Sequence, residues 1–176
     1  MLIMINNYDK YFMINIFQIP KKLFSTLSTF EYLYGINPIS IALAKHRRKF
    51  EVLYISDSTT LNIGPKLQSI IHQAQKLEIP IKYQHRDKLT KLVNQQPHQN
   101  IVLKCSQLKP DFIKEPHEYP SGIYVYCDKI TDPQNFGSII RSCIFFGVKN
   151  LFIPKKNCCP LNSTVSKTSA GALELM

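Results

Sequence analysis

The chain has 176 residues, enough for one domain of ordinary size or two small ones. Its 44% hydrophobic and 19% charged content excludes wholesale disorder, and no run of about 18 uncharged apolar residues offers a membrane-spanning helix. The formal charge of +10 favours a polyanionic partner such as RNA, DNA or an acidic membrane surface.

The first 30 residues carry three Lys, a single acid (Asp9), large apolar residues and a Ser/Thr cluster. An acid-poor, basic, hydroxyl-rich start fits an organelle presequence, and a first strand and helix of the fold fits equally well. Asn37-Pro38 is a helix-start signal, with the helix expected over Ile39–Lys49 and ending in the run Lys45, His46, Arg47, Arg48, Lys49. Those cations are either a solvated helix end or a phosphate-contacting patch, which makes Lys45, Arg47, Arg48 and Lys49 the RNA-binding candidates. Phe50–Ser56 reads as a buried strand, and Gly64-Pro65 opens a helix through about Glu78. Ile79–Gln84 alternates like a strand, Arg86–Asn94 reads as a short helix, and Ile101–Lys104 returns to strand. Such alternation is α/β in class.

Leu108–Ser121 holds three prolines and a cluster of acids with little apolar periodicity, marking a linker. A second α/β unit follows, with strand Gly122–Cys127, helix Gln134–Phe146 stopped by Gly147, and strand Asn150–Pro154. The expected organisation is therefore a start over 1–30, a first domain over 31–107, a linker over 108–121 and a second domain over 122–176.

The turn after Cys127 lies at the carboxyl end of a strand, where α/β proteins place ligands. There Asp132 can cap the helix, Pro133 suits its first turn and Gly137 allows close backbone approach. Phe136, Ile139, Ile140 and Cys143 share the buried face, whereas Ser138, Arg141 and Ser142 share the opposite one. The segment Asn162–Glu174 contains the small residues Ser169-Ala170-Gly171-Ala172, and its Glu174 is the sole acid beyond Asp132. The five cysteines are odd in number, scattered and free of any CxxC pair, so neither a disulfide framework nor a metal site is expected. No GxGxxG follows a strand and no GxxxxGK[ST] occurs, which argues against dinucleotide and P-loop enzymes.

Asp132-Pro133-x-Asn135-x-Gly137-x-x-x-Arg141, closing with Gly147, resembles the first motif of the SpoU family of RNA ribose 2′-O-methyltransferases. Ser169-Ala170-Gly171-Ala172-Leu173-Glu174 resembles its second, and Tyr34–Pro38 with His98-Gln99-Asn100 is similar to the family's RNA-binding domain. The resemblance implies a ribosomal-protein-L30e-like RNA-binding domain followed by the first part of a trefoil-knot methyltransferase domain, left incomplete because the chain reads as cut before a third motif. It implies S-adenosylmethionine as donor, a homodimer, and a guanosine of mitochondrial large-subunit ribosomal RNA as substrate in the matrix. It further implies Arg141, Asn135 and Glu174 as the catalytic set, with Glu174 orienting Arg141 or its partner across the dimer. Ser169 and Gly171 are the donor-binding candidates within the chain. A tRNA-directed relative and a non-catalytic basic RNA-binding protein are the alternatives. An inactive fragment of an enzyme is the expectation for the chain as written.

Overall fold

The computed structural model describes residues 11–15, 30–59, 64–112 and 121–176. Eight strands and five helices follow in the order β1 (Tyr11–Asn15), β2 (Phe30–Tyr34), α1 (Ile36–Lys45), β3 (Phe50–Ser56), α2 (Pro65–Lys76), β4 (Ile81–Gln84), α3 (Arg86–Leu92), β5 (Ile101–Ser106), β6 (Asp111–Phe112), β7 (Tyr124–Tyr126), α4 (Pro133–Phe145), β8 (Asn150–Pro154) and α5 (Ser163–Thr168). A 3₁₀ turn over Ala172–Leu175 comes last.

The first unit is a sheet in the order β2-β5-β3-β4, with β5 antiparallel to both neighbours and β4 parallel to β3. Side chains alternate across it. Leu33, Leu53, Ile55, Ile101 and Leu103 point to the α1 and α2 side, where they pack with Ile39, Leu43, Leu67, Ile70 and Ala74. Tyr34 and Val102 point the other way and meet Leu89 and Val93 of the α3 segment. Three layers result, each helix burying one apolar stripe.

The second unit is a sheet in the order β6-β1-β8-β7. Parallel β7 and β8 are joined through α4, a βαβ crossover whose core holds Phe136, Ile140, Cys143, Leu151, Ile153 and Val165. Gly147 adopts φ +66°, the left-handed conformation that ends α4 and frees the chain to enter β8.

Strand β3, strand β8 and the span of α4 lie where periodicity places them. Helix α1 does not run on to Lys49: it starts one residue before Asn37, capped by Gly35, and stops at Lys45 because His46 turns left-handed at φ 53°. The cations after Lys45 therefore sit in a turn entering β3. Segment 108–121 is only partly a linker: Leu108 joins the second core, Asp111–Phe112 pairs with β1, and 113–120 lie outside the described residues. Of the expected start, Tyr11–Asn15 pairs with β8 in the second sheet, Phe30 opens β2, and the presequence expectation otherwise falls outside the described residues.

Candidate functional site

Helix α4 is built to present one face. The Asp132 carboxylate accepts the Asn135 amide at 2.7 Å, and Pro133 occupies the first helical position, so the helix starts at a fixed point beyond β7. Phe136, Gly137, Ile140 and Cys143 go inward, while Asn135, Ser138, Arg141, Ser142 and Phe145 remain exposed. At 3.6 residues per turn these five fall within an arc of about 120°. They form a stripe of amide, hydroxyls, guanidinium and phenyl ring. Among the described residues neither the Arg141 guanidinium nor the Asn135 amide side chain has a hydrogen-bond or ion-pair partner. Arg141 is free to meet an anion.

The opposite side of α4 rests on α5. Asn162 caps α5 by accepting the Val165 amide at 3.1 Å. The Thr168 hydroxyl donates to the Pro133 carbonyl at 2.9 Å, tying the end of α5 to the first turn of α4. Gly137 lets the two meet: a Cβ there would run into the Thr168 side chain and come within 2.8 Å of the Ser169 nitrogen.

Ser169 and Gly171 are engaged within the protein. The buried Ser169 hydroxyl donates to the Ser166 carbonyl at 3.1 Å and accepts the Leu173 amide at 3.2 Å. Gly171, at φ +89°, is pressed against α1, where a Cβ would stand 2.8 Å from Ile41 Cδ1 and 3.1 Å from the Asn37 carbonyl. These small residues let backbone segments approach closely.

Glu174 is likewise elsewhere than expected. Its carboxylate is fully buried, with Oε1 accepting from Arg48 Nη2 at 2.8 Å and from the Ser166 hydroxyl at 2.7 Å, and Oε2 accepting from Arg48 Nε at 2.8 Å. Both oxygens are engaged within the protein, so Glu174 does not orient Arg141. Arg48 is correspondingly no RNA contact: its side chain is fully buried, and Nη1 donates to Glu31 at 2.5 Å and to the Ser106 carbonyl at 2.7 Å. Arg47 also turns inward, donating to the Leu173 and Glu174 carbonyls at 3.3 Å each. Of the four cations proposed for RNA, Lys45 and Lys49 are exposed.

Electrostatics follow the burial. Desolvation alone would lower the Arg48 pKa, but the hydrogen bonds and charge of Glu174 raise it above the ordinary arginine range, so it stays charged. Burial raises Glu31 above its ordinary 4.5 despite the attraction of Arg48. Burial also pushes the Cys105 thiol up to about 12 and that of Cys127 up to about 11, leaving both inert as nucleophiles near neutrality. All five cysteines are free, and among the described residues no cluster of His, Cys, Asp and Glu could hold a metal ion.

Sequence reasoning missed the seam between the units. Glu31 accepts the Ser163 amide at 2.8 Å, and Gln99 Oε1 accepts from Lys167 Nζ at 2.7 Å and from the Ile36 amide at 3.2 Å. A signal existed: Glu31 shares strand parity with Leu33, and Glu174 lies between Leu173 and Leu175. An acid on an apolar face asks for a buried cation.

Both units match models of one family. Residues 32–111 match the family described as RNA 2′-O ribose methyltransferase substrate binding, and residues 122–176 match the SpoU rRNA methylase family. The chain is 33% identical over 154 residues to the mitochondrial rRNA methyltransferase 1 of Homo sapiens, covering 85% of this chain and 43% of that protein. It is 28% identical to a 23S rRNA (guanosine-2′-O-)-methyltransferase of Vibrio parahaemolyticus, covering 83% of this chain and 60% of that one. The fold matches the SpoU methyltransferase AviRb from Streptomyces viridochromogenes, crystallised with AdoMet, at a TM-score of 0.62 and 19% identity over 81% of this chain and 52% of that one. The chain spans about half the length of the curated relatives it matches. With both of its units matched in order, and with the capped, arginine-bearing helix in place, this chain belongs to the SpoU family of RNA 2′-O-methyltransferases.

Proposed function

We propose that the protein methylates the ribose 2′-hydroxyl of a guanosine in mitochondrial large-subunit ribosomal RNA, with S-adenosylmethionine as donor. The exposed, unpaired Arg141 on a rigidly capped helix carries this reading, supported by the family membership and by the names of the relatives. The donor's sulfonium supplies an electrophilic methyl group. Ser169 and Gly171 do not fit as its ligands, since hydrogen bonds and packing occupy both, so no step is derived through them.

What the chain's own residues do is orient and stabilise. A guanidinium stays protonated at any working pH, so Arg141 is not the base. It holds the phosphate beside the target ribose and stabilises negative charge developing on the 2′-oxygen. Asn135, at the mouth of the same face, has an amide able to hydrogen-bond the sugar and fix the hydroxyl in line with the methyl.

The first unit, a four-stranded sheet with helices on both faces, is read as an L30e-like RNA-binding domain, and the second as part of a trefoil-knotted one. Lys45 and Lys49 supply sequence-independent attraction to the RNA backbone. We also read the protein as a homodimer acting in the mitochondrial matrix. Phe145 and Phe146, 83% and 67% exposed and stacked edge-to-face at 5.1 Å, form an apolar end to the site helix that a second copy would cover. Phe145→Asp then shifts the sedimentation coefficient toward the monomer.

The reading is tested with Arg141→Ala in a methyl-transfer assay on large-subunit rRNA. Transfer falls by 100-fold or more while RNA affinity changes less than threefold. Unchanged transfer overturns the role given to Arg141, and no transfer by the unaltered protein leaves a basic RNA-binding protein.

A further inference from the structure

Glu31, Glu174 and Arg48 touch neither Asn135 nor Arg141, yet they are buried where the two units meet. We propose that Arg48 is a positioning residue: through Glu174 it clamps the RNA-binding unit to the first turn of α4 and so sets the distance from the RNA grip to Arg141. This rests on the reading of the first unit as the RNA grip and of α4 as the reacting face.

One short stretch, residues 163–174, touches both sides. Toward the first unit it offers the Ser163 amide to Glu31, Lys167 to Gln99, Gly171 to the start of α1, and Glu174 to Arg48. Toward α4 it offers the Thr168 hydroxyl to the Pro133 carbonyl, and Thr168 and Ser169 to Gly137. Ser166 links the two sets, because its hydroxyl donates to Glu174 from within α5. The path from Arg48 to the turn bearing Asn135 is therefore Glu174, Ser166, Thr168 and Pro133, with every step a hydrogen bond or a segment of one short helix.

Burying an ion pair is a poor way to gain stability, since apolar side chains of like volume hold two surfaces equally well. What the pair adds is direction. Two N–H···O bonds from one planar guanidinium to one carboxylate fix an angle as well as a distance. A third bond to Glu31 and a fourth to the Ser106 carbonyl leave the guanidinium one orientation. Apolar packing alone carries no such angular constraint; the clamp adds one to the seam's other hydrogen bonds.

The test uses the 176-residue chain with Arg48→Lys and Glu174→Gln, each close to the native volume, and Ile70→Val as a control in the first core away from the seam. In NMR spectra the amides of Asn135, Phe136 and Gly137 shift in both clamp variants and not in the control. The double variant moves them no further than the larger single one. Shifts confined to residues around Glu174 overturn the proposal, because Arg48 would then hold the 3₁₀ turn and nothing beyond it.

Should both variants unfold, native hydrogen exchange of the unaltered chain decides. The amides of Ser166, Glu174 and Phe136 open together if the clamp and α4 form one unit, and a separate, easier opening of Phe136 overturns it. In an active preparation the clamp variants lose at least tenfold in kcat with KM for RNA within twofold. If the unaltered protein neither binds RNA nor transfers methyl, the functional reading fails while the NMR result still judges the clamp, so the two fail separately.

Discussion

Arg48 and Glu174, 126 residues apart, meet through two hydrogen bonds of 2.8 Å with both side chains wholly removed from water. One comes from the turn after α1 and the other from the last 3₁₀ turn, so this ion pair joins the two units. Removing one member leaves its partner charged and unpaired in the interior. Arg48→Met strands both Glu174 and Glu31, and it destabilises the protein by about 3–5 kcal/mol. That is a large share of the roughly 5–15 kcal/mol typical of a folded domain. Urea unfolding checks the figure.

Gly137→Ala sets helix propensity against packing. Alanine gains about 1 kcal/mol over glycine inside an exposed helix. Here the added methyl meets the Thr168 side chain and lies 2.8 Å from the Ser169 backbone nitrogen, an atom with no rotamer to yield. Overpacking of this kind costs about 1–3 kcal/mol. The expected outcome is net destabilisation, with α4 displaced from α5, and thermal unfolding gives the sign.

His98 makes stability depend on pH. Nδ1 accepts the Asn100 amide at 3.0 Å, and Nε2 lies 3.0 Å from the Thr90 hydroxyl, which itself donates to the Arg86 carbonyl. The ring is thus the neutral Nε2–H tautomer. Burial, with the charges of Arg86 and Lys167, lowers its pKa below 6.5. In the folded state it binds a proton less readily than in the unfolded chain, so stability from this group is present above pH 6.5. It is lost as pH falls from there through the lowered folded value. Nitrogen-detected NMR titration shows a midpoint below 6.5, with the proton on Nε2 at neutral pH.

Exposed and buried cations of the same run differ in their effect on RNA. Lys45→Gln weakens binding about equally for all sequences and reduces the salt slope by about one unit, the signature of a lost phosphate contact. Lys45 carries this prediction because it is exposed, whereas Arg48, its neighbour in the run, is buried. Fluorescence anisotropy over a salt series separates the two.

Helix α4 and its exposed face were legible because their signals are local. Asp132, Pro133, the 3–4 spacing of Phe136, Ile140 and Cys143, and Gly147 all act within a few residues of one another. The roles of Arg48 and Glu174 were not legible, since they depend on a pairing across the chain that no period reports. The run Lys45–Lys49 reads as one solvated patch only while the helix is taken to continue. One left-handed residue, His46, breaks that continuity and turns Arg48 inward. A first strand was one reading of the start, but its place in the second sheet was not legible, because that is set by pairing with β8 rather than by its own pattern.

Methyl transfer to a guanosine ribose is read out by a nucleotide-resolution map of ribose methylation on large-subunit rRNA from mitochondria of cells depleted of this protein. One guanosine is expected to lose its 2′-O-methyl group, with every other mark intact, and to regain it on re-expression of the native protein but not of Arg141→Ala. A map unchanged on depletion, or a loss confined to tRNA, contradicts that expectation.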